Sequence, residues 1–213
     1  MSERRLLVAA LASALLTILA TSAAAQDEKN ELAGTVGRIF ISDQGILNPP
    51  VPDALIRSGK GISFQIDYAR RIWVTPIYAL SAEVPVLINP DEDLNSFQGA
   101  VPGNYKQYFI TPSARVNLFP TTAFSPWVSF GGGFGYFSQA KSLIYDGGPN
   151  PGKNGSTSVI QGGFGLDVKF KGRFSMRGEV RDFWSGEPNF PNAPTGKTRQ
   201  HNYFVGGGVV YHF

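Results

Sequence analysis

The sequence predicts an all-β fold, an eight-stranded antiparallel transmembrane β-barrel with short periplasmic turns and long extracellular loops. Three observations favour this class. Eight segments alternate apolar and polar side chains, their connections alternate between short and long, and an apolar export segment precedes them. The composition agrees, because 13% of the residues are aromatic, whereas 25 Gly and 15 Pro disfavour long helices.

The export segment, residues 1–25, has the three parts of a Sec-type secretory signal peptide. A short basic start is followed by an apolar run over 6–20 and by small residues at the two cleavage positions. The run is shorter than the roughly 20 apolar residues that a membrane helix needs. We therefore expect cleavage after Ala25, a short periplasmic tail over 26–30 and a barrel domain over 31–213.

The eight predicted strands are mostly long enough to cross a membrane at a tilt, which takes about 9 to 11 residues. They cover residues 31–41, 61–70, 75–87, 105–119, 126–137, 156–170, 173–184 and 201–213. In the second strand, for example, Phe64 and Ile66 share one face, while Gln65 and Asp67 share the other. Aromatic residues recur near the strand ends on the apolar faces, as in the girdles of outer-membrane barrels, so we expect those faces to meet lipid.

The first strand fits this alternation worst. Its Arg38 shares a face with Leu32, Gly34 and Val36. We expect Arg38 to point into the lumen, with Ile39 and Ile41 outward, as a β-bulge would allow.

The connections between the strands sort by length. Those at 71–74, 120–125 and 171–172 are short, and those at 42–60, 88–104, 138–155 and 185–200 are long. Outer-membrane barrels place short turns in the periplasm and long loops outside the cell, whereas a soluble β-sandwich has no reason to sort its loops. We expect the four long loops to be extracellular, where they could bind a ligand or a surface or be simple solvated connections.

The polar faces carry charges of both signs at mid-strand. They are Asp67, Glu83, Arg115, Asp167, Lys169, Arg177, Glu179 and Arg181. Inside a narrow lumen we expect these groups to pair as a charge network, because an unpaired buried charge costs several kcal/mol. A solvated strand face is the alternative. Since eight strands enclose a space that side chains just fill, we expect no large open pore.

Glycine clusters interrupt three of the apolar strands, within residues 131–135, 162–165 and 206–208. Gly131, Gly133, Gly135, Gly163, Gly165, Gly206 and Gly208 fall on the predicted inner faces. We expect them to leave room for long charged side chains and to let the sheet bend. A phosphate-binding loop would instead lead into a helix, and no helical pattern follows.

The last predicted strand ends on "VVYHF", which places Val209, Tyr211 and Phe213 on one face. With the signal peptide and the strand order, this ending resembles the eight-stranded outer-membrane barrel family of the OmpA transmembrane domain and OmpX-like proteins, over about residues 31–213. The resemblance implies residence in a Gram-negative outer membrane, contact with its lipid and lipopolysaccharide, and insertion by the barrel assembly machinery, which reads those three residues. OmpA itself continues into a peptidoglycan-binding periplasmic domain, whereas this sequence ends at Phe213. We therefore expect no cell-wall tethering here.

The residue content argues against most chemistry. The chain has no Cys and only two His, His201 and His212, at opposite ends of one strand, roughly 35 to 40 Å apart at about 3.3 Å per residue. Neither has a Ser two residues on, the arrangement found in outer-membrane lipid A deacylases. With 19 basic and 16 acidic side chains, no basic stripe favours nucleic acid. We expect no catalytic residues, no cofactor, no metal and no nucleic-acid partner.

The sequence therefore predicts a non-enzymatic integral outer-membrane protein with a structural or surface-interaction role. A narrow channel or carrier for small or hydrophobic solutes is the alternative, and a lipid-modifying enzyme is less favoured. A Ser-Lys or paired-carboxylate site drawn from Asp67, Glu83, Asp167 and Glu179 stays conceivable, although ion pairs across a filled barrel explain these groups more simply.

Overall fold

All regular structure in the described residues is β. The computed structural model describes residues 28–47, 55–59, 61–96, 101–142, 148–149, 152 and 154–213. Among these residues, no helix is long and apolar enough to cross a membrane. The strands are β1 (Asn30–Ile41), β2 (Gln44–Gly45), β3 (Leu55–Ser58), β4 (Ile62–Val74), β5 (Tyr78–Ser96), β6 (Asn104–Ile110), β7 (Ser113–Leu118), β8 (Phe124–Gln139), β9 (Gly155–Lys171), β10 (Phe174–Gly186) and β11 (Arg199–His212).

The long strands close into an antiparallel ring. β1 pairs with β4 on one side and with β11 on the other, from Glu31↔His212 to Ile41↔Asn202. β6 and β7 both lie between β5 and β8, so together they form one wall strand. The prediction of an eight-stranded antiparallel barrel is confirmed.

Three predicted elements differ clearly in their boundaries. The segment 61–70 continues to Val74 in β4, so the first short turn lies at 75–77 rather than at the predicted 71–74. The segment 105–119 is interrupted at Thr111 and Pro112, because proline has no N–H to donate to the ladder. The segment 75–87 continues to Ser96 in β5, where it pairs with β3 inside the predicted loop 42–60. This loop therefore extends the sheet beyond the membrane-spanning wall.

The turns and loops sort to opposite ends of the ring. The short turns at 75–77, 119–123 and 172–173 lie at one end of the ring. The first and last strands also meet there, where the Asn30 N–H donates to the Phe213 carbonyl at 2.9 Å. We call this the periplasmic end, as in outer-membrane barrels. The predicted signal peptide, 1–25, and parts of the loops 42–60, 88–104 and 138–155 lie outside the described residues.

The outer wall is apolar. Ile66, Phe130 and Phe134 point outward with exposed fractions of 54%, 69% and 72%. Two girdles of exposed aromatic residues flank this band. The periplasmic girdle contains Trp73, Tyr78, Phe119, Phe124, Phe170, Phe174 and Tyr211, and the extracellular girdle contains Phe40, Tyr108, Tyr136, Trp184 and Tyr203. A soluble sandwich would bury this face, so the predicted facing of the second to eighth strands is confirmed.

The predicted facing of the first strand is wrong. Arg38 is exposed on the outer wall, whereas Ile39 is fully buried in the lumen. The β1–β4 and β1–β11 registers run through this region without a shift, so no bulge turns the strand. The lumen at this level is apolar, and both Ile39 and the partly buried Ile41 pack into it. Burial of isoleucine there decides the phase of the strand.

Candidate functional site in the barrel lumen

The periplasmic half of the lumen is filled by charged side chains, which we call the charge layer. Its members are each 5% exposed or less, and they come from six of the wall strands. The layer consists of Glu31, Asp67, Glu83, Arg115, Asp167, Arg177, Glu179 and Arg181.

Arg181 binds three carboxylates at once. Its Nη1 lies 2.7 Å from Glu83 Oε1 and its Nε lies 2.9 Å from Glu179 Oε2. Its Nη2 lies 3.4 Å from Asp67 Oδ2. Arg177 makes a two-pronged contact with Asp167, at 2.7 Å through Nε and 2.8 Å through Nη2. Such forked contacts hold both partners in one orientation.

Asp67 joins the three arginines into one cluster. Its Oδ2 also lies 3.1 Å from Arg177 Nη1 and 3.6 Å from Arg115 Nη1. Arg115 in turn pairs with Glu31 and, at 3.4 Å, with Glu83. The Arg181–Glu83 pair joins β10 to β5 on the far side of the ring, so these interactions tie opposite walls together.

An indole ring lies at the centre of the three guanidinium groups. Trp127, itself 2% exposed, has the Cζ atoms of Arg115, Arg177 and Arg181 at 5.7, 5.2 and 4.9 Å from its ring centroid. Its Nε1–H donates to Asp167 Oδ1 at 3.3 Å. The ring face attracts the cations.

Two glycines make room for this packing, Gly163 for a charged side chain, as predicted, and Gly165 for the indole of Trp127. A Cβ added at Gly165 would lie 2.5 Å from the Trp127 ring, and one at Gly163 would lie 2.9 Å from Arg181 Cγ. Gly131 and Gly133 serve a different purpose. They sit against the backbone at the interruption between β6 and β7, where an added Cβ would meet carbonyl oxygens at 2.3 and 2.0 Å.

The charge layer differs from the predicted network at two positions. Lys169 lies at the periplasmic mouth, where its Nζ donates to the Pro120 carbonyl at 3.0 Å, rather than among the carboxylates. Glu31 was missed. It is 1% exposed and also accepts from Arg71, at 2.9 Å from Nε. The prediction that Arg38 points inward gave no reason to place Glu31 in the lumen. Arg38 in fact points outward, and unbroken alternation along the strand then places Glu31 inward.

The sequence predicts a polar lumen, but an apolar layer fills the extracellular half of the lumen. Ile39, Leu87, Phe109, Phe183 and Phe204 are each 0–1% exposed. Phe109 packs on Phe183 with ring centroids 5.3 Å apart. The layer continues outward through Ile56, Leu94, Val101, Tyr105, Phe137, Val159, Phe190 and Ala193. The sequence does carry a signal for this layer. Runs of consecutive apolar residues at the extracellular strand ends, such as 108–110 and 203–205, place apolar side chains on the inner face as well as on the outer one.

An amide chain crosses the lumen beside the apolar layer. Gln44 Nε2 donates to Gln200 Oε1 at 2.7 Å, and Gln200 Nε2 donates to Asn202 Oδ1 at 2.9 Å. Gln107 Nε2 donates to the same Asn202 oxygen at 2.9 Å. This chain links the first loop to β6 and β11, so it fastens the loop over the lumen.

The two histidines occupy the predicted ends of β11. His201 lies outward at the extracellular rim, with its Nδ1 2.7 Å from Asp182 Oδ2. His212 lies inward at the periplasmic end, with its Nε2 2.9 Å from Ser175 Oγ and its Nδ1 3.6 Å from Glu31 Oε1.

The order Ser175–His212–Glu31 is that of a nucleophile, a base and an acid. Sequence reasoning missed it, because Ser175 lies across the β10–β11 pairing rather than on the strand of the histidine. Ser175 is 1% exposed, His212 is 4% exposed, and Glu31 is already held by arginines. Burial of all three leaves no room for a substrate carbonyl, so we interpret the set as a structural link. In the described ranges, no group of three or more acidic or histidine side chains is arranged to hold a metal ion.

A buried carboxyl lies beyond the membrane-spanning wall, in the extracellular extension of β5. Glu92 is fully buried, and its Oε2 accepts from Asn89 Nδ2 at 2.9 Å. Burial raises the pKa of Glu92 to about 7, although hydrogen bonds from Asn89 and the Gly61 backbone oppose the shift. The neighbouring Asp93 and Asp91 raise it further.

The chain matches the family model for the outer membrane protein beta-barrel domain over residues 11–213. The chain belongs to this family. The resemblance drawn from the sequence to eight-stranded outer-membrane barrels is thereby confirmed, and the apolar wall is the lipid-facing surface of an outer membrane protein. A comparison with curated proteins finds no match.

Three solved structures show the same fold. The outer membrane protein OprG from Pseudomonas aeruginosa is 11% identical with a TM-score of 0.58, covering 87% of this chain and 95% of its own. Neisserial surface protein A is 12% identical with a TM-score of 0.55, covering 86% and 97%. The outer membrane protein AlkL in lipid bilayers is 14% identical with a TM-score of 0.55, covering 90% and 93%. At these identities the likeness concerns the fold alone.

Proposed function

We propose that this outer membrane protein is a non-enzymatic, non-conducting barrel that presents its four long loops outside the cell, in a structural or surface-interaction role. The observation that carries the proposal is the charge layer, in which three buried arginines and five buried carboxylates surround Trp127. A permeating ion would have to separate Arg181 from Glu83 and Glu179, and breaking a buried pair costs about 3–5 kcal/mol.

The extracellular end supports the proposal in a second way. The loop over 187–198 packs on the first loop, since the Leu47 N–H donates to the Pro194 carbonyl at 2.7 Å. Phe190 and Ala193 reach from it into the apolar layer and are buried. The described parts of these loops are therefore anchored to the barrel, and an anchored surface binds a partner at a lower entropic cost than a free one.

Planar-bilayer recording combined with surface labelling tests the proposal. We expect no steady conductance from the reconstituted protein. We also expect an epitope inserted after Asn192, in the loop over 187–198, to be labelled on intact cells. Sustained channel openings, or an epitope that is labelled only after the outer membrane is broken, would overturn the proposal.

A carrier for hydrophobic solutes is the second candidate, and the apolar layer is the observation that favours it. A solute entering from outside would have to displace rings such as Phe109 and Phe183, and the charge layer would block its straight passage. Vesicles containing the protein should therefore take up an apolar fluorescent solute no faster than empty vesicles. Uptake that falls when Phe109 is changed to Glu would favour the carrier instead.

We also propose that the face of β11 formed by Val209, Tyr211 and Phe213 is read by the barrel assembly machinery. Val209 and Tyr211 are 48% and 37% exposed on the lipid side, and the Tyr211 and Phe213 rings stack at 5.7 Å. β11 also closes the ring against β1. Changing Phe213 to Ser should lower the amount of heat-modifiable protein in cells but leave refolding into detergent unchanged. An equal loss in both assays would contradict a role in recognition.

A further inference from the structure

Arg38 is a charged side chain on the apolar, lipid-facing wall. It projects outward from β1 between Val36 and Phe40, and its cross-strand neighbours are Ile62 and Val205. No carboxylate among the described residues forms an ion pair with it. A cation in such a position is stable when its side chain reaches the membrane interface, where a headgroup anion can pair with it.

The register places Arg38 at the extracellular interface. Arg38 pairs with Ile62, whereas the outward Arg70 pairs with Asn30 at the periplasmic end of the same wall. The eight register positions between them correspond to about 20 Å along the membrane normal for a strand tilted by roughly 40°. This distance approaches the apolar band of about 25 Å. The two arginines therefore bracket the band, one at each interface.

A shallow depression of about 410 Å³ lies beside Arg38 on the outer wall. It is lined by Val36, Gly37, Arg38, Phe40, Ile62 and Val205. Towards the bilayer centre the depression is not closed by a side chain, because Gly207 faces outward opposite Val36. The next outward residue of β1, Gly34, has nothing within 4 Å of an added Cβ. A cation thus lies at the interface end of an apolar trough that runs into the bilayer.

We propose that Arg38 and this depression bind one phosphorylated glycolipid of the outer leaflet. A headgroup phosphate accepts hydrogen bonds from the guanidinium fork, and an acyl chain lies along Val36, Ile62 and Val205. The fork suits a phosphate oxygen pair. Because the depression opens at the extracellular girdle, outer-leaflet lipid is the source of the phosphate. The site lies outside the lumen, so it does not depend on whether the barrel conducts.

The test uses the full barrel in phosphatidylcholine nanodiscs with a small fraction of diphosphorylated lipid A, and native mass spectrometry counts retained lipid A. Arg38→Gln should retain it about five- to tenfold less than the unaltered protein, as expected for one interfacial charge with its hydrogen bonds. Arg70→Gln is the matched control on the same wall and should retain it unchanged. Arg38 is exposed, so Arg38→Gln should show unaltered heat-modifiability, and Arg38→Lys should recover part of the retention.

The lipid chemistry supplies the second arm. Dephosphorylated lipid A should bind the unaltered protein as weakly as diphosphorylated lipid A binds Arg38→Gln. Phosphatidylglycerol or inorganic phosphate at the same concentration should not displace lipid A. Equal retention by Arg38→Gln and the unaltered protein would overturn the proposal, as would an equal loss in Arg70→Gln. Displacement by phosphatidylglycerol would also overturn it, since the site would then be a phospholipid site.

Discussion

Replacing Arg181 with methionine removes the guanidinium group that holds Glu83, Glu179 and Asp67 together. The side chain is fully buried, and it contacts Glu83 at 2.7 Å and Glu179 at 2.9 Å. It also lies 4.9 Å from the centroid of the Trp127 ring. Methionine keeps much of the volume but leaves buried carboxylates without their partner. Breaking a buried ion pair in this way costs about 3–5 kcal/mol, so we expect a loss of that size in the free energy of unfolding.

Urea unfolding of the barrel in detergent micelles, followed by tryptophan fluorescence and by gel mobility without heating, measures this loss. The matched control is Arg57→Met. Arg57 pairs with Asp43 at 3.8 Å, and the two side chains are 70% and 50% exposed. Exposed pairs contribute about 0–1 kcal/mol, so this variant should unfold almost like the unaltered protein.

A triple variant separates charge from volume. Adding Glu83→Gln and Glu179→Gln to Arg181→Met removes the orphaned charges and should recover part of the lost stability. If Arg181→Met unfolds within about 1 kcal/mol of Arg57→Met, the charge layer is hydrated and the reasoning is refuted.

Three further perturbations probe the rest of the molecule. Gly165→Val should destabilise the barrel by about 1–3 kcal/mol, because the new side chain would meet the Trp127 ring. Gly162→Val is the control, because its side chain would enter open space and should leave the stability unchanged. Equal effects of the two variants in urea unfolding would contradict this account. Phe183→Ala should cost about 3–5 kcal/mol by leaving a cavity in the apolar layer. It should still give no steady conductance, and channels in that variant would show that the apolar layer alone closes the lumen. Burial raises the pKa of Glu92 from its ordinary value of 4.5 to about 7 in the folded state. The extracellular extension should therefore be most stable below pH 4.5 and lose up to about 3 kcal/mol of stability as pH rises through about 7. Hydrogen exchange of the Leu94 amide, corrected for intrinsic rates, should therefore quicken between pH 5 and pH 8, and Glu92→Gln should abolish that dependence.

The sequence alone supports the strand count, the sorting of the loops and the facing of seven strands. These features follow from local alternation and spacing, which need no knowledge of neighbours. The strands with polar inner faces, such as the one carrying Gln65 and Asp67, were the simplest to orient. Their contacts could not be predicted, because pairing Asp67 with Arg177 requires the register of strands far apart in the chain.

The errors share a physical origin in the changing character of the lumen along its axis. A uniformly polar interior predicts Arg38 inside and Ile39 outside. The extracellular half is apolar, and it takes up Ile39 and Phe109 instead. The same assumption hid Glu31 and the indole of Trp127, since a tryptophan on an inner face does not fit a purely polar lumen. Alternation predicts that two faces exist, but only the packing decides what each level of the inner face contains.

Solvent exchange at the arginine side chains tests the closed lumen most directly. With the barrel in nanodiscs, NMR can follow exchange of the Nε–H protons of Arg115, Arg177 and Arg181 with water, using the exposed Arg57 as an internal reference. The account predicts slow exchange for the three buried groups, together with cross-peaks from their Nε–H protons to the Trp127 ring. Exchange as fast as that of Arg57 would mean a water-filled lumen and would contradict the account.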